Sequence, residues 1–336
     1  MEASGRSKPG RSRRAFLRAA GAAATAGLAG CGTRGTPLSD QQSVTLLAAG
    51  SLQHALETGL RSVREIPVQI ESHGSATVAR LVAEGKRDPD IVTVADTALF
   101  ERPLSPSWYS VFASNAIVLA YDPSTDGGQE LAAAGPSRWF EPLLAGSVRL
   151  GRAPPDQDPL GYRTLFTLEL ASRYYDDASD LRRRIPGQEQ VYPETALISQ
   201  FETGGLEAAF AYRNMAVERD YDFIELPPEI DLSDPRFADE WYSEVSYTLP
   251  SGQLIRGDVI QYGSTVRRID EDVLTVFEAH TTGEYLRAAG FTVRESFPRY
   301  RGRVPDDVST ALPPSNRDRP GPGSEPSRVS TGTRGG

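Results

Sequence analysis

The sequence predicts an α/β protein of two lobes, each an open sheet flanked by helices, with a ligand cleft between them. Three observations lead there. From residue 44, β-branched apolar runs alternate with helical spacing in the order β-α-β-α-β. Two of those strands end in a small residue and a hydroxyl, Gly50-Ser51 and Gly74-Ser75, where a helix opens. A second series of strands and helices begins near residue 115. The length, 336 residues, suits two domains at the usual ~150 residues each.

Residues 44–48 (VTLLA) form the first expected strand, ending in Ala49-Gly50-Ser51. Leu52, Ala55, Leu56, Leu60 and Val63 are spaced as one helix face. Residues 68–70 read as the next strand, and Gly74-Ser75 open a helix over Val78, Leu81 and Val82. Residues 91–94 (IVTV) are a strand running into Ala95-Asp96. This order predicts a parallel sheet with helices on both faces and ligands beyond the carboxyl ends of its strands. There, free backbone N–H groups, a hydroxyl and the helix dipole make an anion site. Serine also caps helices without any ligand; the repetition on consecutive units favours a ligand.

Residues 115–121 (NAIVLAY) are a long apolar strand that crosses to the second lobe. A helix at 139–144 and a strand at 148–150 lead to PPDQDPLGYR (154–163), then to a long helix reaching Tyr174-Tyr175. Residues 194–201 read as a helix and 208–212 (AAFAY) as a buried strand. The chain is expected to recross at 246–249 and 258–262 before a helix at 271–280.

Charge and composition narrow the function. The formal charge is −9, which argues against a nucleic-acid partner. One cysteine excludes an internal disulfide framework and a multi-cysteine metal site. Three scattered histidines, His54, His73 and His280, leave little for a histidine metal site or a triad. No stretch approaches the ~18 apolar residues of a membrane span. Only two lysines, Lys8 and Lys86, occur, so the basic side is almost wholly arginine. Saline surroundings and a GC-rich genome both produce that bias.

The ends read as addresses. Six basic residues against Glu2 make residues 1–30 locally positive. Arg13-Arg14 precede a mild Ala/Gly run, the order of a twin-arginine export signal. The run closes in Leu28-Ala29-Gly30-Cys31, which looks like a lipobox with Cys31 as the lipid-bearing residue. Residues 1–30 are then the signal segment, 31–43 a tether, 44–118 with 247–311 the first lobe and 119–246 the second. Residues 312–336, rich in Pro, Gly, Ser and Arg, cannot bury enough surface to offset their ordering entropy and are expected to be a disordered tail.

No nucleophile elbow, P-loop, dinucleotide fingerprint or zinc motif is present. A serine hydrolase using Ser51 or Ser75 would need a histidine brought by the fold and an acid to orient it. Asp156, Asp158 and Glu194 are carboxylates that could serve acid/base chemistry or a divalent cation, or be plain solvated loop acids.

Several segments together resemble the archaeal type of molybdate/tungstate-binding lipoprotein. They are AAGSL (48–52), SHGSATVARLV (72–82), PDIVTVADTALF (89–100), WYSVFASNAIVLAYDPST (108–125), DQDPLGYRTLF (156–166), PETALISQFETGGLEAAFAYRNMAVE (193–218) and FIELPPEIDLSDPRFAD (223–239). They follow the family's order across roughly residues 44–300. The resemblance implies a type II periplasmic-binding-protein fold and the binding component of an ABC importer, working with permease and ATPase subunits. It implies a monomer without a cofactor, anchored by lipid to the outer face of the cell membrane, with molybdate or tungstate as ligand. Carried over, Gly50, Ser51 and Ser75 become donors from the first lobe. Asp158, the backbone at Leu160, Glu194 and Tyr212 become contacts from the second. Asp158 and Glu194 would be the carboxylates that reach the metal centre of the oxyanion. The chain departs from the family in having Ala211 before the Tyr-Arg pair, where an acidic residue is common, and in a short connection from Arg163 to Glu194. A receptor for sulfate or phosphate is the alternative among binding proteins.

Arg13→Lys with Arg14→Lys should leave unprocessed protein in the cytoplasm, and Cys31→Ser should release exported protein from the membrane fraction. Cys31→Ser protein that stays membrane-bound through a high-salt wash would refute lipid anchoring.

Overall fold

The computed structural model describes residues 43–185 and 190–312. Arg13, Arg14, Cys31 and the tail beyond Leu312 lie outside the described residues. In chain order the strands are β1 (Val44–Ala49), β2 (Ser62–Val63), β3 (Ile66–His73), β4 (Ile91–Val94), β5 (Trp108–Ser114), β6 (Ile117–Tyr121) and β7 (Leu150–Arg152). They continue with β8 (Gln190–Val191), β9 (Ala208–Tyr212), β10 (Asp222–Glu225), β11 (Ser246–Thr248), β12 (Leu254–Arg256), β13 (Gln261–Val266) and β14 (Arg299–Gly302).

Among the described residues, two main sheets form. The first runs β14-β5-β13-β4-β1-β3-β2 and the second β10-β6-β9-β7-β8. At the heart of the first, β1 pairs in parallel with β3 and β4. Five of the six residues of β1 are buried, as a strand covered on both faces requires. The expected all-parallel sheet is corrected to a mixed one: β13 runs antiparallel to both β4 and β5. The reason is that the chain returns from the second lobe in the opposite sense.

Three local expectations also shift. The helix expected to reach residue 63 is Gln53–Gly59, preceded by the tight turn Gly50–Leu52. Arg64 and Glu65 take left-handed backbone angles, which turn β2 back onto β3 as a hairpin. The strand expected at 148–150 forms at Leu150–Arg152. Residues 246–249 do not recross: Ser246–Thr248 pairs with Leu254–Arg256 in a separate hairpin. The return strand is Gln261–Val266 and not 258–262.

Two strands of chain join the sheets side by side. Asn115 N–H donates to Ile260 O at 3.3 Å, and Ser114 Oγ donates to the same oxygen at 2.6 Å. On the second-lobe side, Ile117 N–H reaches Asp231 O and Ile260 N–H reaches Leu232 O, both at 2.9 Å.

The long helix Pro159–Tyr174 starts as its sequence dictates. Asp158 caps it, accepting from Leu160 N–H, and Pro159 occupies a first-turn position that needs no amide proton. It is buried through most of its length because it packs against its own sheet and also reaches the first lobe. In the second lobe Trp139 packs edge-on against Phe210; in the first, Trp108 packs against Phe277.

Candidate functional site

Every residue singled out for binding sits at or beyond the carboxyl end of a strand. Gly50 and Ser51 follow β1, Gly74 and Ser75 follow β3, and Asp158 follows β7 through a short loop. Glu194 follows β8 as the first residue of the helix Glu194–Glu202, and Tyr212 is the last residue of β9. Ser75 is the first residue of the helix Ser75–Ala83, capped by Gly74. Ser51, Ser75, Asp158, Glu194 and Tyr212 are all buried.

The two lobes meet through these residues in pairs. A Cβ on Gly74 would stand 2.5 Å from Gln157 O and 2.6 Å from Asp158 Oδ2. A Cβ on Gly50 would collide with Glu194 Oε2. Each glycine of the two first-lobe pairs therefore faces one of the two second-lobe acids. Only a residue without a side chain lets the backbone come so close. Thr77 N–H adds a hydrogen bond to Gln157 O across the same gap at 3.4 Å.

Three hydroxyls surround the acids, and each accepts a hydrogen bond from a group that can give one. Ser75 Oγ accepts from Ala95 N–H at 2.9 Å. Tyr212 Oη accepts from Arg163 Nη1 at 2.8 Å; a guanidinium can only donate. Ser51 Oγ accepts from the Tyr262 phenol at 2.9 Å. Burial holds the Tyr212 and Tyr262 phenols above their ordinary range, so both keep their protons. With one lone pair engaged, each site hydroxyl has its own proton free to donate to a ligand oxygen. Leu160 is different: its N–H, expected to face the ligand, is taken by Asp158 Oδ1 at 2.7 Å.

The acids have the opposite character. Asp158 Oδ2 and Glu194 Oε1 are buried and receive no hydrogen bond from any donor group among the described residues. What they have is each other. Burial, followed by the charge of Asp158, pushes the Glu194 carboxyl well above its usual range. Burial also raises Asp158, although the shared hydrogen bond with Glu194 and the Leu160 N–H oppose the rise. Without ligand, both carboxyls are thus biased toward the protonated form, and Asp158 Oδ2 and Glu194 Oε1 are left without a hydrogen-bond partner.

Arg163 locks the wall of the site. Its Nη1 donates to Ala95 O at 2.7 Å, and its Nη2 lies 3.2 Å from Asp96 Oδ2. Asp96 also accepts from the Tyr162 phenol at 2.6 Å. Arg163 and Tyr162 belong to the second lobe, Ala95 and Asp96 to the first, so a buried ion pair spans the cleft. These roles, with those of Asn115, Asn214 and Tyr262, escaped the sequence reading. Asp96, Arg163 and Asn214 lay inside recognised segments; nothing in the sequence distinguished Tyr262.

The structure separates the remaining candidates from this cluster. Asp156 is exposed and accepts from the Tyr247 phenol at 2.6 Å. His73 pairs with Glu71 at 2.8 Å and gives Ser75 no hydrogen bond. His280 is buried between Thr93 and Tyr285, its pKa lowered by burial to about 3. No catalytic triad forms among these residues. Among the described residues no group of three or more His, Cys, Asp or Glu is placed to hold a metal ion.

A family model described as bacterial extracellular solute-binding protein matches residues 44–253. The chain belongs to this family. Its relatives include a Haloferax volcanii protein named for molybdenum binding by an ABC transporter, 51% identical over 88% of this chain and 96% of its own length. A molybdate/tungstate-binding protein WtpA of Thermococcus kodakarensis is 33% identical over 60% of this chain and 64% of its own. The periplasmic molybdate-binding protein of Azotobacter vinelandii has the same fold, with a TM-score of 0.51 and 13% identity over 75% of this chain and all of that one. By family the protein is thus an extracytoplasmic solute-binding protein and not an enzyme. In this solute-binding protein the fold is the expected one of two α/β lobes around a cleft.

Two measurements probe this geometry. Gly50→Ala and Gly74→Ala should each weaken oxyanion binding about tenfold or more by holding the lobes apart, since overpacking a tight contact costs about 1–3 kcal/mol. Small-angle scattering should show a more open average shape; full affinity with an unchanged profile would mean the lobes do not meet here.

The acid pair sets the sign of a pH dependence. Both of its folded pKa values lie above the ordinary carboxyl range. Its contribution to stability is full below that range and is lost as pH rises through the folded pKa values. Without ligand, the melting temperature should fall from about pH 5 to pH 8, and Glu194→Gln should flatten the fall. Glu218, raised by burial to about 7, contributes to wild type and variant alike and cancels in the difference. Parallel pH profiles of the two proteins would refute the raised pKa values of the pair.

Proposed function

We propose that the protein binds molybdate or tungstate between its lobes and delivers it to the permease and ATPase of its importer. The single observation that carries this reading is the acid pair, two buried carboxyls with unpartnered oxygens inside a ring of outward-donating hydroxyls. The hydroxyls of Ser51, Ser75 and Tyr212 suit the outer oxygens of an oxyanion. The carboxylates do not: beside sulfate they would meet like charge and no hydrogen to share. Mo(VI) and W(VI) are large, hard centres that accept further oxygen ligands. Asp158 and Glu194 would coordinate that centre, and the oxyanion would approach octahedral geometry. Selectivity against sulfate then arises from repulsion that nothing offsets. The names of the relatives point to the same ligand class. Coordination would require both carboxyls to be ionised, so ligand binding would release any proton the pair carries. We further propose twin-arginine export and lipid attachment at Cys31, with the chain acting as a monomer without a cofactor.

Calorimetry against molybdate, tungstate, sulfate and phosphate tests the ligand class. Asp158→Asn or Glu194→Gln should lower molybdate and tungstate affinity and leave sulfate binding constant or stronger. Ser51→Ala or Ser75→Ala should weaken every bound oxyanion by about 1–3 kcal/mol, the cost of losing a charge-assisted hydrogen bond. X-ray absorption on the tungstate complex should show more oxygen neighbours than free tungstate has, reverting in Asp158→Asn. A wild-type complex with the coordination of free tungstate would end the carboxylate-ligand reading; tight sulfate or phosphate binding without molybdate binding would replace it with the alternative receptor.

A further inference from the structure

Asn115 stands where the chain crosses between the lobes, and Asn214 lies in the short helix Arg213–Val217 after β9. Both side chains are buried. Backbone groups fix the orientation of both side-chain amides. Asn115 Oδ1 accepts from Ala116 N–H at 3.0 Å and from Asn214 N–H at 3.3 Å. An N–H can only donate, so the amide nitrogen of Asn115 must point the other way. That nitrogen donates to Asn214 Oδ1 at 2.7 Å and to the Tyr262 phenol oxygen at 3.2 Å. Asn214 is oriented independently: its Nδ2 donates to the backbone carbonyl of Ser51 at 2.8 Å, an atom that can only accept. A phenol has a single proton. Asn115 donates to its oxygen, so Ser51 Oγ at 2.9 Å is the neighbour left to accept that proton, and leaving a buried phenol proton without an acceptor would be costly.

We propose that Asn115 and Tyr262 are positioning residues that turn the Ser51 hydroxyl proton into the cleft, and that Asn214 ties this setting to lobe closure. The proposal rests on the reading of the cleft as an anion site. Asn214 comes from the second lobe and Ser51 and Tyr262 from the first, so the relay is complete only when the lobes meet. Its consequence is chemical. Ser51 then turns its proton toward the ligand, which favours a deprotonated oxyanion oxygen, a stronger acceptor than one that carries a proton.

The test reverses the relay. In Asn115→Asp the new carboxylate can only accept, so Tyr262 donates to it and Ser51 turns its proton to the phenol oxygen. Calorimetry of the full chain with molybdate and tungstate should show about a tenfold loss, similar to that of Ser51→Ala. Combining Asn115→Asp with Ser51→Ala should add nothing further, the signature of two changes acting on one hydrogen bond. Adding Tyr262→Phe to Asn115→Asp should restore affinity to within about threefold of wild type, because Ser51 then has no phenol to donate to. A purely structural role would give additive losses and no rescue, and either result would overturn the relay. If thermal melts show that Asn115→Asp does not fold, Asn115→Ala replaces it, with a smaller loss and the same rescue by Tyr262→Phe. Wild-type protein that binds no tested oxyanion would overturn the anion-site reading itself; wild-type binding without rescue overturns the relay alone.

Discussion

The site depends on one constraint, the direct apposition of a first-lobe glycine and a second-lobe carboxyl, made twice. Gly74 faces Asp158, and Gly50 faces Glu194. Each acid stands at the start of a helix, where the dipole favours negative charge. Burial, and for Glu194 the charge of Asp158, outweigh that help and hold both carboxyls above their usual range. The helix starts reduce the penalty enough for the acids to persist in a closed cleft, yet leave them poised to ionise when a better partner arrives. A site of this kind is held between two states of charge, and closure of the lobes is what brings the pair into play.

Beside that pair, the hydroxyls of Ser51, Ser75 and Tyr212 each accept a hydrogen bond from the protein. Arg163, Ala95 N–H and Tyr262 each supply a donor to a site hydroxyl. Two of these donors are beyond ambiguity, since neither a guanidinium nor an amide N–H can accept. The third is fixed by the orientation of Asn115. Arg163 does a second task through Asp96, binding the lobes by a buried ion pair whose rupture would strand a charge. The same guanidinium thus sets the direction of the Tyr212 hydroxyl and requires the cleft to be closed.

The sequence made the strand-to-helix junctions legible because their chemistry is local. Gly50-Ser51 and Gly74-Ser75 announce helix starts through residue type alone, and Asp158-Pro159 announces another through a cap followed by a first-turn proline. What stayed hidden depends on distance in the chain. Tyr262 reads as one apolar residue of a strand, and its role comes from Ser51, far earlier in the sequence. The return strand begins later than expected because Val259 and Ile260 are as apolar as a strand, while the backbone of Ile260 bonds to the crossover at Leu232 and Asn115. The helix after Gly50 was drawn too long because Leu60 and Val63 keep its period; the hairpin at Arg64 and Glu65 depends on backbone angles that residue type does not advertise.

Charge accounting around the cleft gives the last step. Arg163, whose charge acts on Asp158, is paired with Asp96, and Arg219, whose charge acts on Glu194, with Glu218. Neither leaves a spare positive charge to neutralise an incoming dianion beside Asp158 and Glu194. Hydroxyl protons and helix starts supply partial charges only, which stabilise the outer oxygens of a ligand without cancelling two carboxylates. A ligand that offers nothing but oxygens would therefore be repelled at its acid-facing side. One that offers an electrophilic centre converts that side from repulsive to bonding. On the proposed reading, then, selectivity does not require the site to measure the size of a tetrahedral anion. It requires the ligand's central atom to accept what the two acids have to give.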